Sequence, residues 1–518
     1  MSAPSSSSSQ PFGALAAYMR PPQHIGMQTL DRSAFQREVP VVSVAVEASK
    51  VGKIRFNPAL RGHVLDLPKV KPIVESQDGE KGIRWIRLHV SREEDIPSET
   101  RELIDRETLG LRKEHVQLGY DNWNTSEILG AVLPTTKSDD IPSSFTSTGH
   151  IAHMNLREEW LPYRYLIGQV ILDKNPGLRT VVNKLDTIHA QYRYFDMEVI
   201  AGDQDYITTL NESNCTFTFD FSRVYWNSRL HHEHERLIDL FKPNSLVADV
   251  MAGVGPFAVP AAKRGSYVLG NDLNPESAKW MRENRIKNHV ENNLRIFEQD
   301  GSEFIRTIAL EVWRNPFKPS APAPSKRKQR EERKKRVAAT LESKKKGQQE
   351  QEQEQEGKPI QSAISNAVSS IVETLGVTTL TNPHPPQVEE EQKLPEPPKI
   401  IQHFIMNLPD SALTFLHSYQ GCFTPLLNEE DFVAKYGVDG RELTDEELPM
   451  VHVYCFTKEM ELDKAQEDIL KRASDDLRHP LSTSTQDYNL HHVRSVAPSK
   501  DMYCLSFRLP RKVAFSSV

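Results

Sequence analysis

The 518-residue chain has only four cysteines, Cys215, Cys422, Cys455 and Cys504, and no two form a C-x-x-C pair. Three lie in apolar, strand-like runs, so the expectation is buried free thiols, and a thiolate zinc site is excluded. No apolar run approaches the length of a membrane-spanning helix. Charge of neither sign dominates: 64 Lys and Arg stand against 71 Asp and Glu, a formal net charge of -7. A globally basic surface is therefore excluded, and any nucleic-acid contact has to be local. The run His231-His232-Glu233-His234-Glu235 lacks the i, i+4 histidine pair of H-E-x-x-H, so no metal is expected.

What is present centres on Ser245 to Ala258, S-L-V-A-D-V-M-A-G-V-G-P-F-A. A short apolar run ends on Asp249, a Gly253-Val254-Gly255 turn follows, and Pro256 is placed at the first helical position. This is the strand, glycine turn and helix start of a nucleotide-binding α/β unit. Gly253, Gly255 and Ala258 also satisfy the dinucleotide pattern G-x-G-x-x-G/A, so spacing does not choose the ligand. Pro256 removes an N–H that a phosphate would use, and Asp249 repels a phosphate while attracting an ammonium group. S-adenosyl-L-methionine has the ammonium and no phosphate.

Three further strand ends carry polar tips. Tyr267 to Asp272 ends in an acid about 20 residues after the turn, where a ribose-binding carboxylate belongs. Leu294 to Phe297 leads to Asp300-Gly301, placed for an adenine edge, and Ile401 to Met406 ends in Asn407-Leu408-Pro409. Together they predict one crevice along the carboxyl edge of a parallel sheet.

The remaining chain divides by composition. Residues 1–50 read as a Ser- and Pro-rich leader whose shortage of acids resembles an organellar presequence, with a plain unstructured leader as the alternative. Residues 51–140 read as a small α/β unit with a strand at Trp85 to Val90 and a helix at Glu99 to Thr108. Residues 141–224 read as a second unit with strands at Leu166 to Leu172 and Tyr192 to Ala201. Residues 225–518 form the ligand-binding domain, interrupted at 315–398 by a low-complexity insertion holding a basic block and a short amphipathic pattern, Ile364, Val368, Ile371 and Leu375. After it, Ser411 is expected to N-cap a helix through Tyr419, and the chain should close with two antiparallel strands near Val493 to Val496 and Tyr503 to Leu509.

The motifs G-H-I-A-H-M-N-L-R-E, I-G-Q-V-I-L-D-K-N-P, V-Y-W-N-S-R-L-x-x-E-H, D-V-M-A-G-V-G-P-F, N-D-L-N-P and V-R-x-V-A-P-S-K resemble those of the eukaryotic tRNA guanine-37 N1-methyltransferases. The likeness runs from about Arg55 to Leu509, apart from the insertion. It implies a class I methyltransferase fold: a Rossmann-like, mostly parallel α/β sheet with a closing antiparallel strand pair. Two smaller α+β N-terminal domains would bind tRNA, one at the elbow and one at the anticodon loop. It further implies a monomer in the cytoplasm and nucleus with a mitochondrial matrix pool.

By the same resemblance, Glu233 is the general base for guanine N1, Arg193 the cation facing O6, and Asn407 the group that orients the base edge. Asp249, Gly253 and Gly255 line the cofactor turn. His234, Asp272, Leu273, Asp300 and Gly301 match the family's cofactor contacts, and Asn407 counts with them. The tip Asn407-Leu408-Pro409 departs from the N-P-P-Y of exocyclic-amine methyltransferases, as a ring-nitrogen target would require. Two other readings are an aminocarboxypropyl transferase of wybutosine synthesis on the same scaffold, and a non-catalytic tRNA-binding protein.

Overall fold

The computed structural model describes residues 15, 18–76, 81–134, 140–188, 195–320 and 394–516. Arg193, the basic block and the pattern from Ile364 to Leu375 lie outside them. The chain falls into two compact units: one of residues up to Leu210 together with Thr218–Ser228, the other of Asn211–Phe217 and Arg229–Val518.

The first unit holds two four-stranded sheets. In one, β1 (Arg37–Glu47) lies between β3 (Ile83–Arg87) and β4 (Gly110–Leu118), with β2 (Ile73–Glu75) at the edge. Residues 37–47, expected in the leader, form the longest strand of this sheet. The reason is a period-2 valine pattern that serves two cores. Val42, Val44 and Val46 pack with Leu103 and Ile104 of α1 (Ser98–Glu107), while Val39 and Val41 face a larger cluster on the other side.

That larger cluster also contains Leu166, Ile167, Val170 and Ile171. These residues were expected in a strand but belong to a helix, α2 (Arg164–Lys174). Their spacing, i, i+1, i+4, i+5, is one helical face, a period that apolar content alone does not reveal. The second sheet runs β5 (Thr146–Thr148), β6 (Ile151–Met154), β7 (Thr180–Ile188), β8 (Phe195–Gly202). A hairpin follows, β9 (Ile207–Glu212) and β10 (Cys215–Asp220).

The second unit carries a seven-stranded sheet. Its strands in chain order are β11 (Leu246–Asp249), β12 (Tyr267–Asn271), β13 (Leu294–Phe297), β14 (His403–Met406), β15 (Met450–Thr457), β16 (Asn489–Ala497) and β17 (Lys500–Arg508). The spatial order is β13-β12-β11-β14-β15-β17-β16. The first five are parallel, and β17 runs antiparallel to both β15 and β16. Strand order reverses between β11 and β14, the topological switch point at which open α/β sheets bind ligands.

Every residue of β11 and β12 is buried, as strands covered by helices on both faces must be. α5 (Gly301–Arg314) supplies one cover: Phe304, Ile305, Ile308 and Val312 share a core with Leu246, Ala248, Leu269 and Met406. The four cysteines are buried thiols, none in a disulfide.

Two boundaries and one helix type differ from the sequence reading. Order persists into the expected insertion: Phe317 is buried against Tyr267 at 5.1 Å between ring centroids, and the Ser320 hydroxyl bonds Asn293 Oδ1 at 2.8 Å. The helix after the glycine turn, α4 (Ala258–Lys263), begins two residues past Pro256, which stays in the turn. Ala412–Tyr419 is a 3-10 helix, and the Ser411 side chain makes no capping bond to it.

Candidate active site

The glycine turn is held from three sides. Val250 N–H donates to Ile405 O at 2.9 Å, Ala252 N–H to Asn271 O at 2.7 Å, and Gly255 N–H to Ala252 O at 2.9 Å. Gly253 and Gly255 both have positive φ, 56° and 95°. Their roles differ. A β-carbon on Gly253 would meet nothing within 4 Å, so that residue keeps open space beside the turn; one on Gly255 would lie 2.7 Å from Val259. Asn271, fully buried, bridges the strand ends by donating to Val250 O and Gln299 O, both at 3.0 Å.

Two acids face this turn. Asp249 is fully buried, and neither carboxylate oxygen has a partner of ordinary hydrogen-bond geometry; the Met251 N–H makes only a weak approach. Burial, then the neighbouring Asp272, pushes its carboxyl well above the usual range. A buried acid left this way calls for a cation. Asp272 is spoken for on both oxygens, Oδ2 by Gly253 N–H at 2.7 Å and Oδ1 by Asn274 N–H at 2.9 Å. Burial raises it to about 6. A carboxylate offers about four lone-pair positions, so acceptor capacity remains for hydroxyls.

The other strand tips are arranged as follows. Leu273 is 44% exposed, an apolar side chain at the tip after β12. Asp300 is exposed and caps α5, its Oδ1 accepting from Ser302 N–H at 2.8 Å and Glu303 N–H at 3.3 Å. Gly301 is buried where a β-carbon would crowd Phe415 and Val250, at 3.2 and 3.3 Å. Asn407 follows β14, and its side-chain Oδ1 is buried without a hydrogen-bond partner among the described residues. The residues of the second unit thus offer an unpaired carboxylate, an acceptor-rich carboxylate and an unpaired amide oxygen along one sheet edge. That set of acceptors fits an ammonium-bearing nucleoside cofactor.

Glu233 and His234 sit on α3 (His231–Asp239), and both are buried. His234 Nδ1 lies 2.5 Å from Glu212 Oε1, and its ring packs edge-on to Phe257 at 4.7 Å, which links this helix to the glycine turn. Phe257 also stands 5.9 Å from Tyr454, centroid to centroid. Glu233 is gripped by Arg236 through two bonds of 2.7 Å, Nε to Oε2 and Nη2 to Oε1, while the Tyr454 hydroxyl donates to Oε1 at 2.7 Å. His491 Nε2 approaches Oε2 at 3.4 Å.

Arg236, Tyr454, His491 and Glu212 were not singled out from the sequence. Glu233-x-x-Arg236 is an i, i+3 helix pair and was readable; Tyr454 is 221 residues away and was not. Among the described residues no three His, Cys, Asp or Glu side chains gather as a metal site requires.

Comparison with known proteins adds the following. A family model described as the TRM5/TYW2 methyltransferase domain matches residues 208–312, and one described as the TYW2 N-terminal domain matches 125–205. A Cryptococcus neoformans protein named tRNA (guanine(37)-N(1))-methyltransferase is 58% identical over 508 residues, covering 96% of this chain and 89% of that protein. The Schizosaccharomyces pombe protein of the same name is 38% identical over 497 residues, covering 95% and 96%. A solved complex of aTrm5 with tRNALeu matches 91% of this chain and 99% of its own with a TM-score of 0.51 and 16% identity, a likeness of fold.

Proposed function

Since the chain belongs to the tRNA (guanine(37)-N(1))-methyltransferase family, we propose that it methylates N1 of the guanosine just 3′ of the anticodon in tRNA, with S-adenosyl-L-methionine as cofactor. The observation that carries this reading is Asp249, an unpartnered buried carboxylate at the switch point of the sheet. It is suited to the cofactor's ammonium group, which its charge would pair. Asp272 would take the ribose hydroxyls, Leu273, Asp300 and Gly301 the adenine, and Gly253 and Gly255 leave the backbone open to approach, with His234 setting the neighbouring wall. The bound cofactor supplies an electrophilic methyl group.

The chain's own residues handle the proton and the base. Guanine N1 becomes nucleophilic as its proton departs, and Glu233 is assigned as the acceptor of that proton. Charge then moves onto O6, for which Arg193 is the assigned cation. Asn407 Oδ1 is an acceptor in search of a donor, and the guanine edge has N–H groups to offer it. Because N1 lies on the pairing edge, the base is flipped out of its stack to reach the site. The amino-terminal unit is assigned to docking the tRNA, and the active form is taken as a monomer.

The test is methyl transfer from labelled cofactor to unmodified tRNA transcripts carrying G or A at that position, with the product nucleoside identified by mass spectrometry. One-methylguanosine on the G transcript alone is the expected result. An aminocarboxypropyl mass gain, or tight binding without product, would overturn it.

A further inference from the structure

Glu233 is almost closed off from solvent. Its side chain is 5% exposed and holds a bidentate ion pair with Arg236 plus the Tyr454 hydroxyl bond. The side chain of Arg236 is fixed in return, and this pairing holds its guanidinium further into the charged form. A proton taken onto a side chain so enclosed reaches water only through a neighbour. One neighbour leads outward: His491, on β16 at the edge of the sheet, with Nε2 3.4 Å from Glu233 Oε2 and its side chain 39% exposed.

We propose that His491 is the proton exit of this site, taking from Glu233 the proton that leaves guanine N1 and passing it to solvent. The inference rests on the reading of Glu233 as general base. In the balanced step, N1 gains the methyl carbon as the carbon–sulfur bond breaks, sulfur keeping that bond's electron pair. The N1 proton goes to Glu233 Oε2, leaving the N–H bonding pair on the ring. Oε2 then yields the proton to the unprotonated Nε2 of His491, and the exposed imidazole yields a proton to water.

The surroundings of His491 suit a group that must lose protons readily. Burial and Arg236, ahead of Glu233's opposing effect, hold it below the ordinary imidazole value, and His492 adds to the lowering. Cys504 lies opposite it on β17, and Asp501 is engaged by His492 at 3.3 Å. His491 touches no reacting atom; it acts through Glu233.

Single-turnover methyl transfer by the full-length enzyme on G-bearing transcript, followed from pH 5.5 to 8.5, tests this in wild type, His491→Gln, Glu233→Gln and His492→Gln. His491→Gln should slow the step by at least about tenfold at neutral pH, lose an inflection of the pH profile, and regain rate with added imidazole. His492→Gln should behave as wild type. A second readout avoids turnover: the imidazole NMR signal that His491→Gln removes should titrate at lower pH in Glu233→Gln, because the partner charge is gone. If His491→Gln keeps the wild-type rate and profile while Glu233→Gln is slow, the exit is wrong and the base reading survives. If Glu233→Gln keeps full rate, both fall. An NMR titration unmoved by Glu233→Gln also overturns the relay.

Discussion

The backbone N–H of Gly253 donates to Asp272 Oδ2 at 2.7 Å, so the glycine turn and the acid 19 residues later hold one another in place. The same turn keeps Asp249 dry on one side and leaves open space on the other. The two glycines should therefore fail differently. Gly253→Ala places a β-carbon into open space at φ 56°, so the protein should fold with a loss of about 1–2 kcal/mol from backbone strain, yet bind S-adenosyl-L-methionine more weakly. Gly255→Ala meets Val259 at 2.7 Å and should mainly lower stability. Calorimetric titration beside thermal unfolding separates the two; equal losses of affinity without destabilisation in Gly255→Ala would contradict the assignment.

Asp249→Asn should stabilise the cofactor-free protein, by about 1–2 kcal/mol, because it removes a buried charge with no partner. It should also abolish measurable cofactor binding. The pH dependence has a definite sign. Asp272 is raised to about 6 when folded against 3.8 ordinarily, so the folded state binds more protons between those values. Its contribution to apo stability falls as pH rises from about 4 to about 6 and is constant beyond. Cofactor affinity should move the other way, strengthening through the same window. Urea unfolding with and without ligand measures both.

Arg236→Met strips the counter-ion from a carboxylate that is 5% exposed, and should cost about 3–5 kcal/mol. Glu233→Gln, which keeps the shape and removes the charge, should cost less, and the double variant less than the sum. Denaturant midpoints for the three proteins would show this; strict additivity would mean that the pair does not interact.

His403 Nδ1 and His452 Nε2 face each other at 3.1 Å, and His452 Nδ1 also meets the Ser506 hydroxyl at 2.8 Å. Burial lowers both rings, His403 to about 4 and His452 well below the usual value. Unfolded histidines bind protons near 6.5, so stability from this pair is complete above that pH and is lost as pH falls toward 4. The slope of unfolding free energy against pH between 6.5 and 4 should flatten in His403→Gln; an unchanged slope would remove this pair as its source.

The catalytic-domain architecture was legible because its signals are local. Leu246-Val247-Ala248-Asp249 before two glycines and acids at the strand ends are each set by a few bonded neighbours, and these strands formed at their expected places. The valine alternation at Arg37–Glu47 and the helical spacing from Leu166 to Ile171 were local too, and a period count would have caught both. What only the tertiary structure decided is which side chains satisfy which charges. Glu233 gains Tyr454 and His491 because β15 and β16 are laid beside its helix, and no local spacing encodes a meeting across more than 200 residues. Asp249 is left unpaired for the complementary reason. Its β11 backbone is wholly used in pairing with β12 and β14, burial removes water, and nothing in the described chain supplies a cation. Residue identity determined which groups carry charge, and packing determined which of those charges remain for a ligand.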